Sequence, residues 1–81
     1  MPDDAAPTPL SSLRPGDRAE VVAITGEPAL VQRLCEFGLF EGEVVEFLGT
    51  APLGDPIEIR FGNSRLSLRR SEASNVAVRL A

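Results

Sequence analysis

The residue types that most often do chemistry are sparse in this chain. Histidine, tryptophan and tyrosine are absent. Their absence removes Ser/His/Asp and Cys/His nucleophilic arrangements and every His-containing metal site. No GxGxxG or GxxxxGKS/T phosphate loop occurs, and no motif points to an enzyme. The one thiol, Cys35, has no second cysteine, so an intramolecular disulfide is excluded and a reducing compartment is suited. It falls on the apolar stripe of a helix and reads as a small buried hydrophobe. Carboxylates such as Asp3, Asp4, Asp17 and Glu20 could hold a hard cation weakly. Nothing in their spacing builds the oxygen cage of tight binding, so no cofactor and no intrinsic high-affinity metal site are expected.

What remains is contact chemistry. The net charge is −4, from 8 basic and 12 acidic residues, and every basic residue is an arginine. That balance argues against a generic nucleic-acid binder, which carries excess positive charge. Arg60, Arg65, Arg69 and Arg70 crowd one stretch; Glu36, Glu41, Glu43 and Glu46 crowd another. The pattern is either a dipolar face that orients a charged partner or a solvated surface with interleaved ion pairs. Two apolar features stand out. Leu53, followed by Gly54 and Asp55, sits between Pro52 and Pro56, where a stiff loop could present it to a partner at small entropic cost. Leu39 and Phe40 follow a helix exit. Leu39 also fits a helix-terminating contact, whereas Phe40 has no such structural duty. Asp55 before Pro56 also suits a turn.

The elements that must position these residues are short. Among 81 residues, 43% are apolar, and Leu, Val, Ile and Phe make up about 30%, above the level at which chains stay disordered. One thin domain is expected, with a proline-rich tail at 1–9 and the domain at 10–81. The longest uncharged run, Ala5–Leu13, contains Pro7 and Pro9 and falls far short of the ~20 residues of a membrane span; no signal peptide is seen. Leu10 and Leu13 suit a helical turn plugging one end of the core, followed by a Pro15-Gly16 turn. Arg18–Thr25 reads as a strand apolar on both faces. Pro28–Phe37 reads as the one clear helix: Pro28 in the first turn, Leu30, Leu34 and Phe37 on the buried stripe, Gly38 as left-handed terminator and Leu39 as the apolar residue after it. Glu43–Gly49, Ile57–Phe61, Arg65–Arg69 and Asn75–Leu80 read as strands, with a short turn at Ser71–Ser74 that Ser71 could cap. For the hairpin, a turn on Asn63-Ser64 places Phe61 opposite Leu66, Ile59 opposite Leu68 and Glu58 opposite Arg69. Turning one residue earlier sets Arg60 against Arg65, so like-charge repulsion favours the first register. A sheet this small must hide its edges. The expectation is a mainly β fold, a small SH3-like barrel of about five strands with one helix inserted after the first strand.

Four strings now resemble one family. They are Leu13-x-Pro15-Gly16, Arg33-Leu34-Cys35-Glu36-Phe37-Gly38-Leu39-x-x-Gly42, Ala51-Pro52-Leu53-Gly54-Asp55-Pro56-Ile57, and Leu66-x-Leu68-Arg69-Arg70-x-Glu72-Ala73. Together, over about residues 10–80, the chain resembles FeoA, the small protein of bacterial ferrous iron uptake, and the FeoA-like domain appended to some metal-dependent repressors. Phe37 and Phe40 stand where the family more often has aliphatic residues. The resemblance implies an SH3-like barrel in the cytoplasm, with transition metal ion binding at family level. The implied protein does not transport iron itself but acts on FeoB, a permease with a cytosolic G-protein domain that would recruit it to the inner face of the membrane. The implied contact residues are Leu39, Phe40, Leu53, Gly54, Asp55, Arg69 and Arg70. A GTPase-activating role would need a mobile arginine finger, for which Arg69 and Arg70 qualify by type. The competing implication is a regulatory domain acting in trans on a metal-dependent repressor. No direct insertion into the membrane is expected, and weak self-association stays open.

Overall fold

A computed structural model describes residues 6–81. Six strands form one antiparallel sheet: β1 (Thr8–Pro9), β2 (Arg18–Ile24), β3 (Val44–Thr50), β4 (Ile57–Phe61), β5 (Ser64–Leu68) and β6 (Val76–Leu80). Their order is β1-β6-β2-β3-β4-β5, so β1 and β5 are the edges and the sheet does not close on itself. The sixth strand is the difference from expectation. Thr8 and Pro9, read as tail, pair with Val78 and Ala77 and cover the outer side of β6. Residues 1–5 of that tail, with Asp3 and Asp4, lie outside the described residues. Two irregularities bend the sheet. The register shifts between Val21 and Ala23 against β6, and between Phe47 and Gly49 against β4, leaving Val22 and Leu48 unopposed. Such bulges add local twist and curl a sheet around its own apolar face.

That face is the core. Val21, Val45, Phe47, Ile57, Ile59, Leu68, Val76 and Val78 fill it from the sheet, and Leu10 and Leu13 plug one end from a 3₁₀ turn at Leu10–Ser12. Helix α1 (Pro28–Glu36) adds Leu34. It begins on Pro28 and stops where the sequence says it must. Gly38 takes φ 93°; its N–H donates to the Cys35 carbonyl at 2.9 Å, and the Leu39 N–H reaches back to the Leu34 carbonyl at 3.0 Å. This is a Schellman closure, and its apolar contact joins Leu34 and Leu39, both fully buried.

The β4–β5 hairpin departs from the expected register. It turns on Gly62-Asn63, with Ile59 opposite Leu66 and Arg60 opposite Arg65. Gly62 has φ 57°, the left-handed value that a type II′ turn requires at its first corner. The repulsion that argued against this register is removed on both sides. Arg60 bonds Glu46 on β3 at 2.6 Å, and Arg65 bonds Glu58 at 3.2 Å. Turn chemistry therefore outweighs a single cross-strand charge pair. The turn before β6 is a short helix, α2 (Arg70–Ala73), and Ser71 does not cap it. The Glu72 carboxylate instead accepts the Arg69 N–H at 3.0 Å.

Candidate functional site

The six-residue connection from β3 to β4 is closed by its own backbone and fastened from outside. The Ala51 N–H donates to the Pro56 carbonyl at 3.0 Å and the Gly54 N–H to the Ala51 carbonyl at 2.8 Å. Gly54 has φ 87°, which a side chain would strain. Arg70, sixteen residues on, then fastens the loop to the body. Its Nε donates to the Gly54 carbonyl at 3.1 Å and its Nη1 to the Ser11 carbonyl at 2.8 Å. Its backbone N–H donates to Asp55 Oδ1 at 2.9 Å, so Asp55 serves as a cap to α2 from outside the helix. At the tip, Leu53 is 97% exposed. An apolar side chain held clear of the surface by a fastened backbone can enter a partner's pocket with little backbone ordering cost.

The structure thus brings Leu53, Gly54, Asp55 and Arg70 together and gives them different duties. Leu53 is available for contact, whereas Asp55 and Arg70 hold the loop. Arg69, beside them, forms no ion pair with any described residue. Phe40 is about half exposed and sits elsewhere, over a shallow groove with Ile24, Val31 and Cys35. The groove that Phe40 lines holds no residue of the Leu53 loop. Leu39 is a correction: it is fully buried as the apolar partner of Leu34 in the helix stop, so it offers no surface to a partner. Cys35 is a second correction. It is half-buried, because on α1 it lies one residue round from Leu34 and faces the rim of that groove. Phe37, expected on the buried stripe, is 53% exposed; it falls on the C-cap, and Leu34 and Leu39 already fill the core there.

The charges interleave at Glu46–Arg60, so the acidic and basic stretches of the sequence are not two separate poles. A third pair, Arg33–Glu72 at 2.6 Å, ties α1 to α2. Glu72 is held below the ordinary carboxylate value of 4.5, first by the Arg33 side chain and then by the Arg69 N–H. No group of three or more His, Cys, Asp or Glu side chains suited to a metal occurs among the described residues. No helix among them is long and apolar enough to cross a membrane.

The FeoA domain profile matches residues 8–80. The chain is 35% identical over 71 residues to an Fe(2+) transport protein A/Fe(2+) transporter FeoB fusion protein of Porphyromonas gingivalis; the match covers 88% of this chain and 8% of that one. Its structure is similar to the solution structure of FeoA from Chlorobium tepidum, with a TM-score of 0.86 and 44% identity over 90% of this chain and 70% of that one. It is also similar to FeoA of Stenotrophomonas maltophilia complexed with zinc, described as a prokaryotic SH3 domain protein, with a TM-score of 0.77 and 33% identity over 89% of each chain.

Proposed function

The chain belongs to the FeoA family, and on that premise we propose that it is a non-enzymatic accessory protein of ferrous iron uptake that grips a FeoB-type permease. The fusion of the two proteins into one chain in a relative supports the partnership, because covalent linkage raises the effective concentration of one module at the other. The curled six-stranded sheet is read as an SH3-like barrel that serves as a rigid base for its loops, working in the cytoplasm against the permease's G-protein domain. The observation that carries the reading is Leu53, 97% exposed on a loop fastened by Arg70. Phe40 is a second, separate point of contact, and Arg69, which forms no ion pair among the described residues, is a cation beside the loop.

The test is a titration of the purified protein against the cytosolic G-protein domain of the cognate permease, with GDP and with a non-hydrolysable GTP analogue. Burying a leucine is worth about 1.5–3 kcal/mol. Leu53→Asp is therefore expected to weaken binding by roughly 10- to 150-fold while leaving the fold intact. Absence of binding in both nucleotide states rejects the partnership. Binding that survives both Leu53→Asp and Phe40→Asp rejects the face. Co-purification with a DNA-binding repressor instead would favour regulation in trans.

A further inference from the structure

Among the described residues the sheet has one long free edge, and it is β5. Of the two edges, β1 has two residues, whereas β5 runs from Ser64 to Leu68 and pairs only with β4. The hairpin closes on the Phe61–Ser64 pair, so the ladder alternates from there. Ser64, Leu66 and Leu68 aim their backbone groups at β4. Arg65 and Ser67 aim theirs outward, where no described backbone group meets them. Two donors and two acceptors therefore stand in the geometry that a seventh strand would satisfy.

A groove of about 330 Å³ lies along part of this edge, between β5 and the last turn of α1. Its apolar wall is Phe37, Pro56 and Leu66, which explains a use for the exposed aromatic at the helix exit. Its charge is positive where it is free. Arg33, Arg69 and Glu72 line it, two cations against one anion; Glu72 is ion-paired with Arg33 and also feels the Arg69 charge, and Arg69 itself forms no ion pair with a described residue. Arg65 pairs with Glu58, but both side chains are exposed, so a competing carboxylate can exchange into that pair. A second copy of β5 matches this charge poorly, since the strand SRLSL carries no carboxylate to meet the arginines.

We propose that the β5 edge receives an extended segment of a partner protein, built of alternating apolar and acidic residues, which adds a strand through the backbone of Arg65 and Ser67 and seats an apolar side chain against Phe37 and Leu66. This site borders the Leu53 loop, with Pro56 and Arg69 between them, but its strand-pairing edge is β5 and it does not depend on the permease reading.

The probe is a synthetic heptapeptide of alternating Val and Glu, titrated into the ¹⁵N-labelled full chain. The amides of Arg65 and Ser67 are expected to shift and to exchange at least about tenfold more slowly. A Val/Lys peptide is expected to bind about tenfold more weakly, as two exposed charge contacts are lost. Ser67→Pro removes one outward N–H without touching the ladder to β4 and is expected to abolish the protection. Arg69→Glu leaves the backbone alone and is expected to weaken binding of the Val/Glu peptide. The proposal is overturned if the Val/Glu peptide leaves Arg65 and Ser67 unprotected. It is overturned equally if Arg65 and Ser67 are already protected in the free protein with concentration-dependent sedimentation, which would assign the edge to a second copy. Loss of G-protein-domain binding in Leu53→Asp with peptide binding retained would show that the two sites stand or fall separately.

Discussion

Replacing Arg70 by methionine keeps the length and apolar stem of the side chain and removes only its guanidinium. Two hydrogen bonds go with it, from Nε to Gly54 and from Nη1 to Ser11. The bond from the Arg70 backbone to Asp55 remains. Hydrogen bonds from a charged donor are worth about 1.5–3 kcal/mol each in protected sites. Arg70 is exposed, and screening brings the pair down to about 1–2 kcal/mol together. For a domain of this size, each kcal/mol shifts the melting temperature by about 4–8 °C. Thermal unfolding by circular dichroism reads the global loss. Amide exchange at Gly54, whose N–H closes the loop on Ala51, reads the local one. Arg69→Met is the control: it removes the same charge one residue away from a guanidinium with no ion pair among the described residues, and it is expected to stay within about 0.5 kcal/mol. Equal melting temperatures and equal Gly54 exchange in the two variants would refute the account of the loop as fastened by Arg70.

Three further outcomes are expected. Leu39→Ala opens a cavity beneath the helix stop and costs about 2–5 kcal/mol in urea unfolding, whereas Phe40→Ala, on the half-exposed neighbour, costs well under half of that. Because the folded-state value of Glu72 is lowered, its contribution to stability is complete above 4.5 and is lost as pH falls through the folded-state value. The urea midpoint of Arg33→Met should therefore lie below that of the unaltered protein at pH 7 and converge with it in acid; a gap that stays constant with pH would count against the pair. Equilibrium dialysis against Fe²⁺ is expected to show no stoichiometric micromolar binding, since the sequence has no histidine and a single cysteine.

The helix and its stop were legible because their signals are local. Pro28, Gly38 and Leu39 stand at fixed offsets from the apolar stripe and need no tertiary information. Strand positions were legible for the same reason, through the alternation of Ile57, Ile59 and Phe61 with Glu58 and Arg60. The register of β4 on β5 was not. Its cost was charged to Arg60 facing Arg65, but the answering carboxylates Glu46 and Glu58 lie on β3 and β4, and only the folded sheet brings Glu46 beside Arg60. The strand at Thr8–Pro9 was hidden by Pro9 and the neighbouring Pro7; an edge partner that makes few ladder bonds tolerates a proline. Leu53 could be recognised as a loop residue between prolines. The identity of the group that fastens its loop could not, because no local rule connects Gly54 with Arg70.

The arginines divide by what they already hold, and that division constrains mechanism. Arg33 and Arg60 spend their charge on carboxylates of neighbouring elements. Arg70 spends its guanidinium on two main-chain oxygens. An arginine finger must leave its own fold and enter a partner's phosphate site. For Arg70 that motion would release the loop that presents Leu53, so one contact would be lost as the other formed. Arg69 carries no such conflict. If a catalytic arginine is supplied to a G-protein partner at all, Arg69→Gln should abolish the acceleration of GTP hydrolysis while leaving Leu53-dependent binding in place. Arg70→Gln should instead reduce binding and acceleration in the same proportion. Loss of acceleration in Arg70→Gln at unchanged affinity would reverse the assignment and show that the loop can spare its fastening.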